Sequence, residues 1–266
     1  MRSALLSLVV VAAAVAGGCR GPATSSDPAT SSDGAHPLVV FAASSLTGAL
    51  DRVTAGAPNG PGIAITVSSG SSTALRVQIE QGAAADLFLS ADETNPAALV
   101  ADGLGVGPPT VFATTHLVIV VPAGNPAAID APADLARAGI RLVAATEAVP
   151  ITRYVDQVIA RLAAAPGAPT GFATLVERNI VSREEDVAAV IARVKLGEAD
   201  AAVVYASLAE TTDGLEVIAI PAEADVEVRY AGVVLRRSSQ QDRARTFLGW
   251  LAGRHGMGPV PVATST

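Results

Sequence analysis

The chain has 266 residues, half of them hydrophobic but only 3% aromatic, with a net charge of −7 and one lysine, Lys195. This balance excludes a nucleic-acid surface, which requires a basic stripe, and three scattered histidines with one cysteine supply no metal-ligand cluster. An acidic chain that captures an anion must therefore use local donors rather than a broad positive field.

At the N-terminus, Arg2 is the only charge before Cys19, residues 5–16 are an apolar run, and Gly17-Gly18 lead into Cys19. A basic start, an apolar stretch of about a dozen residues and small residues at its end describe a signal peptide over residues 1–18. The run is shorter than the roughly 20 apolar residues that span a bilayer. A cysteine directly after two small residues resembles the lipobox of bacterial lipoproteins, with Ala16 where leucine is usual. The alternative is a plain secretory signal cleaved near Gly18. Lipidation of Cys19 is the favoured expectation, because an unpaired thiol elsewhere would be a liability in an oxidising compartment. The Ser-, Thr-, Pro- and Gly-rich stretch that follows cannot bury enough apolar surface to fold, so residues 19–37 read as an anchor and flexible tether.

From residue 38 onward, short apolar runs alternate with helical patterns. Strands are predicted at 38–42, 63–67, 86–89, 117–121, 141–145, 202–205, 216–220 and 226–235. Helices are predicted at 47–55, 73–81, 94–101, 133–137, 152–164, 184–195 and 240–251. This alternation specifies an α/β fold of βαβ units around a mainly parallel sheet. The Gly103-x-Gly105-x-Gly107 run continues into Pro108-Pro109, which denies it a helix to open, so it reads as a turn. Punctuation there, at 122–126 and at 221–224 divides the chain into one lobe of residues 38–120 plus 222–266 and another of 121–221.

Three predicted strands run into hydroxyl-rich or proline turns before a helix. They lead to Ser44-Ser45, to Ser71-Ser72 and to Pro150-Ile151-Thr152. A helix start leaves backbone N–H groups unpaired at the positive end of the macrodipole, so it binds anions without a cationic side chain. A neighbouring hydroxyl adds a donor, although ordinary capping alone explains many such serines. Strand-end crevices of open α/β sheets are the usual ligand sites. Enzyme signatures are missing from the sequence: there is no Gly-x-Ser-x-Gly elbow, and Glu184-Glu185-Asp186 suits a solvated helix start.

Phe41-Ala42-Ala43-Ser44-Ser45-Leu46-Thr47 resembles the first motif of the periplasmic molybdate-binding proteins of ABC importers, the ModA family. Gly70-Ser71-Ser72-Thr73-Ala74-Leu75 resembles the second, and Ala85-Asp86-Leu87-Phe88-Leu89-Ser90-Ala91-Asp92 extends the likeness. Val149-Pro150, Glu185-Asp186-Val187 and Ala202-Val203-Val204-Tyr205 follow in order. The resemblance implies a two-lobed periplasmic binding protein of type II topology with its ligand in the interlobe cleft. It implies oxyanion donors from Ser45 and Ser72, from the backbone N–H groups of Ile151 and Val187, and from the Tyr205 phenol. Ser44, Ser71 and Thr152 are possible additional donors, and Ser44 competes with Ser45 for the ligand-facing role. Val187 is open to two readings. A Ser182-x-x-Glu185 capping box would bury it in the first turns, whereas a cap at Asp186 would leave its N–H free. Residues 166–169 read as an extra loop.

The expected function is accordingly an exported, lipid-anchored, monomeric binding protein on the extracytoplasmic face. It would deliver molybdate or tungstate to an ABC importer permease, with no cofactor and no resident metal. Another tetrahedral dianion, sulfate or thiosulfate, is the alternative ligand. A non-transport surface lipoprotein that keeps the fold is the alternative role.

Overall fold

The computed structural model describes residues 36–54 and 62–253. The expected signal peptide, Cys19, most of the tether and the tail from residue 254 lie outside the described residues.

The first sheet is built from β1 (Leu38–Ala43), β2 (Ile65–Gly70), β3 (Leu87–Ser90), β4 (Gly105–Thr115) and β10 (Val228–Leu235), in the order β2-β1-β3-β10-β4. β1 pairs in parallel with β2 and β3, and β10 runs antiparallel between β3 and β4. β1 (LVVFAA) is buried along almost its whole length, as expected of a central parallel strand covered on both faces. Helices α1 (Thr47–Thr54), α2 (Ser72–Glu80) and α3 (Thr94–Ala101) follow β1, β2 and β3, and α8 (Gln241–Ala252) closes the lobe. Gly232 on β10 is required by close packing: a Cβ there would meet Leu89 Cδ2 at 2.7 Å and Leu248 Cδ1 at 2.9 Å.

The second sheet region holds β5 (Leu117–Pro122) between β8 (Ala202–Tyr205) and β9 (Leu215–Ala219), all antiparallel. β6 (Leu142–Ala145) pairs in parallel with β7 (Ile180–Glu184), and a parallel bridge from Leu142 to Ala201 ties this pair to the β8 side. Helices α4 (Ile151–Ala164), α5 (Phe172–Asn179), α6 (Val187–Lys195) and α7 (Ala206–Ala209) belong here. The loop expected at 166–169 joins α4 to α5 and turns through Gly167 at φ +83°.

Four expectations are corrected. The 103–109 segment is not only a turn, because β4 begins at Gly105 and carries Pro108-Pro109 within it. It is an edge strand with register shifts against β10, where missing N–H donors are tolerated. Next, β5 sits wholly in the second sheet, so the first crossing lies at His116 and not after residue 120. The predicted helix 184–195 starts at Val187, because Glu184 ends β7 (Ile180–Glu184) and Asp186 is the helix cap. The predicted 133–137 helix is a short 3-10 turn, Pro132–Ala136. The chain returns to the first sheet between β9 and β10. His116 on one crossing and Asp225 on the other approach to 2.6 Å, Nδ1 to Oδ2.

Candidate anion-binding site

In the first lobe, β1 ends in a 3-10 turn, Ser44–Leu46, that runs straight into α1, and all three residues of the turn are buried. The Ser44 carbonyl accepts the Thr47 hydroxyl at 2.9 Å. The buried Ser45 Oγ makes no hydrogen bond of ordinary geometry, although it lies close enough to help lower the pKa of the Tyr230 phenol. The Ser45 hydroxyl is thus buried with no hydrogen-bond partner, while Ser44 engages Thr47 only through its backbone carbonyl.

Ser71 caps α2 without a side-chain bond, and Ser72 is the first residue of that helix. The Ala91 N–H donates to Ser72 Oγ at 3.1 Å. A hydroxyl that accepts in this way keeps its own proton for another acceptor.

The second lobe contributes two helix starts. Pro150 stands just ahead of α4 and has no N–H, so Ile151 provides the first free amide there. At α6, Asp186 is the cap and accepts the Ala189 N–H at 2.9 Å, which leaves Val187 at the helix tip. Ser182 instead donates to Glu184 at 3.0 Å, so the capping-box reading is set aside. Thr152 commits its hydroxyl inward, to the Thr146 carbonyl at 2.8 Å.

Tyr205 ends β8, is 1% exposed and has no partner for its hydroxyl. Its ring packs edge-on against Tyr230 at 5.6 Å. Burial drives its pKa well above the usual tyrosine value; Tyr230, Tyr154 and Asp92 push the same way and Arg153 opposes them. The phenol is thus a fixed neutral donor.

Shared neighbours link the elements that carry these groups. The Ser44–Leu46 turn packs against both α6 and α7, the helix that Tyr205 introduces. Ser72 meets Ala91, and the next residue, Asp92, is paired with Arg153 two positions after Ile151. Ile151 and Val187 also border one cavity of about 260 Å³ under α4. None of the five expected donors is a cation. Among the described residues, no group of three or more His, Cys, Asp or Glu could hold a metal ion.

Beside the expected donors stand Tyr230 and Arg153, which the sequence reading did not single out, and Thr146 and Asp92, which it held only within longer motifs. The Tyr230 hydroxyl shares a hydrogen bond with Ser207 at 3.1 Å, and Thr146 has a buried hydroxyl without a partner just before α4. Asp86 and Asp92, both within the motif that extends the first-lobe likeness, prove to be local organisers. Asp86 accepts from the Val39 N–H at 2.8 Å and the Ser238 hydroxyl at 2.5 Å.

The sequence pattern of the bacterial extracellular solute-binding proteins matches residues 38–258. The chain belongs to that family. Members are solute-binding components of transport, not enzymes. This bacterial extracellular solute-binding protein is 36% identical over 261 residues to the molybdate-binding protein ModA of Mycobacterium tuberculosis, with 96% of this chain and 94% of that one covered. The periplasmic molybdate-binding protein of Azotobacter vinelandii shares its fold at TM-score 0.68 and 24% identity, covering 81% of this chain and 93% of that one. The sulfate-binding protein SubI of M. tuberculosis does so at TM-score 0.67 and 18% identity, covering 82% and 83%. The type II two-lobed fold is thereby established, and backbone shape alone does not separate a molybdate binder from a sulfate binder.

Proposed function

We propose that this solute-binding protein captures molybdate, and tungstate with it, in the interlobe cleft and delivers it to an ABC importer permease. What supports this reading is a set of neutral donors carried by both lobes on elements that share neighbours. These are the Ser45 and Ser72 hydroxyls, the free amides that open α4 and α6, and the Tyr205 phenol, with Ser45 Oγ and Tyr205 Oη buried and unpartnered. The 36% identity to a molybdate-binding protein supports the choice of anion. The 1–19 segment supports export and attachment to the extracytoplasmic face through a lipidated Cys19, and the chain works as a monomer.

A pocket of donors alone selects for full deprotonation. Monoprotonated phosphate would bring a hydroxyl against a donor and lose one bond, at a cost of about 1–3 kcal/mol, or one to two decades in affinity. Molybdate, tungstate and sulfate carry no such proton, and pocket size must separate the last from the first two. A thermal-shift panel of molybdate, tungstate, sulfate, thiosulfate and phosphate tests this. Stabilisation by the first two alone is expected. A shift with sulfate or thiosulfate alone would reassign the ligand, and no shift with any anion would refute the transport reading.

A further inference from the structure

Among the described residues, one ion pair joins the two lobes away from the crossings. Arg153, in the first turn of α4, reaches from the second lobe to Asp92, which follows β3 in the first. The same guanidinium donates from its other arm to the Thr94 hydroxyl at 3.0 Å and lies over the Tyr154 ring, 5.2 Å from its centre. Its partner is an unusual carboxylate. Asp92 is 1% exposed and fixed from its own lobe by the Ser90 hydroxyl at 2.7 Å, the Asn95 backbone N–H at 3.1 Å and the Asn95 side-chain amide at 3.1 Å. Arg153 keeps 44% of its side chain accessible. The carboxylate is thus built into one lobe, and the cation is delivered to it by the other.

The position of this pair relative to the anion donors gives it a function. Asp92 directly follows Ala91, whose N–H holds Ser72 Oγ, and Arg153 is two residues beyond Ile151. Both charges act on the buried Tyr205 phenol, Asp92 against its ionisation and Arg153 in favour. A dianion seated among these donors would therefore face a buried negative charge from the first lobe. A buried carboxylate without a counter-charge is costly, and more so next to a second anion.

We propose that Arg153 and Asp92 form an ionic latch across the cleft, which holds the lobes together and cancels the Asp92 charge as the anion is enclosed. The proposal rests on the oxyanion reading of the cleft for its second half only. In the separated lobes, Asp92 keeps its first-lobe partners but not its counter-ion. Closure restores the cation and removes repulsion at the moment the second-lobe amides reach the ligand. The latch is a positioning device: Arg153 need not touch the anion to determine how long it stays. Its half-exposed guanidinium sets the size of the effect between that of a surface pair and that of a buried one.

The test compares the full-length protein with Arg153→Gln and Arg153→Lys, both at a half-exposed position that the fold tolerates. Small-angle scattering of the anion-free proteins reports lobe separation, and stopped-flow release of molybdate reports retention. Arg153→Gln is expected to enlarge the anion-free particle and to release molybdate at least about tenfold faster. Arg153→Lys, which keeps the charge but not the two-armed geometry, should fall between it and the parent. An Arg153→Gln protein with unchanged scattering and unchanged release would overturn the latch. If the parent protein bound no molybdate, the proposed ligand would fall, and the scattering comparison would still decide the latch by itself.

Discussion

The Tyr205 hydroxyl and the Ser72 hydroxyl come from opposite lobes, and each has a free proton for different reasons. Tyr205 is buried without a partner, whereas Ser72 accepts from Ala91 and so has its O–H to spare. A hydrogen bond to a charged ligand contributes about 1.5–3 kcal/mol. Ser72→Ala combined with Tyr205→Phe should therefore weaken molybdate binding by at least about a hundredfold in calorimetry while the unfolding transition stays cooperative. Unchanged affinity would remove both residues from the site. The same titration should be flat between about pH 6 and 9, since no expected donor titrates there. The sign follows from the buried phenols: raised pKa values keep them protonated and donating. For Tyr230, whose pKa rises from the ordinary 10.0 to about 12, the stability from burying the neutral form is present below pH 10 and lost as pH climbs to about 12.

At the scale of elements, legibility followed hydrogen-bonding context. β8 matches its predicted bounds because an apolar run with β-branched residues between turn signals admits few alternatives. β4 was hidden because Gly and Pro break up its pattern, and only its edge position makes that composition workable. β7 went unassigned, and its last residue was taken into a predicted helix, since five residues with two charges give too little periodicity to read as a strand. The serines and helix starts of the candidate site were readable as motifs because each depends on local chain geometry. The Arg153–Asp92 pair was not, as its members are 61 residues apart and meet only when the lobes do. Asp186 decides the one ambiguous helix start. Replacing it with alanine removes the acceptor for the Ala189 amide and should cost about 1 kcal/mol. Calorimetric melting should show a fall of about 2–4 °C in Tm. No fall would return the start of α6 to the capping-box reading.

For the whole molecule, two crossings, one at His116 and one between β9 and β10, connect two sheets that share the expected donors between them. Neither lobe has a full set: the serine hydroxyls lie on one side, and the two helix-start amides and the phenol on the other. On the proposed site, tight binding therefore requires both lobes at once, and an anion held by one lobe would be only weakly captured. Hydrogen exchange distinguishes these cases because two of the donors are themselves backbone amides. Saturating molybdate should slow exchange at the starts of α4 and α6, at Ile151 and Val187, together with the Ser44–Leu46 turn and the start of α2. At about a hundredfold excess over Kd, bound anion should also stabilise the fold by about 2.7 kcal/mol. Protection confined to the first-lobe segments would mean that the anion is held by serines alone, and that the second-lobe amides have another role. Protection at all four, appearing at the same anion concentration, is the outcome that a cleft closed around its ligand requires.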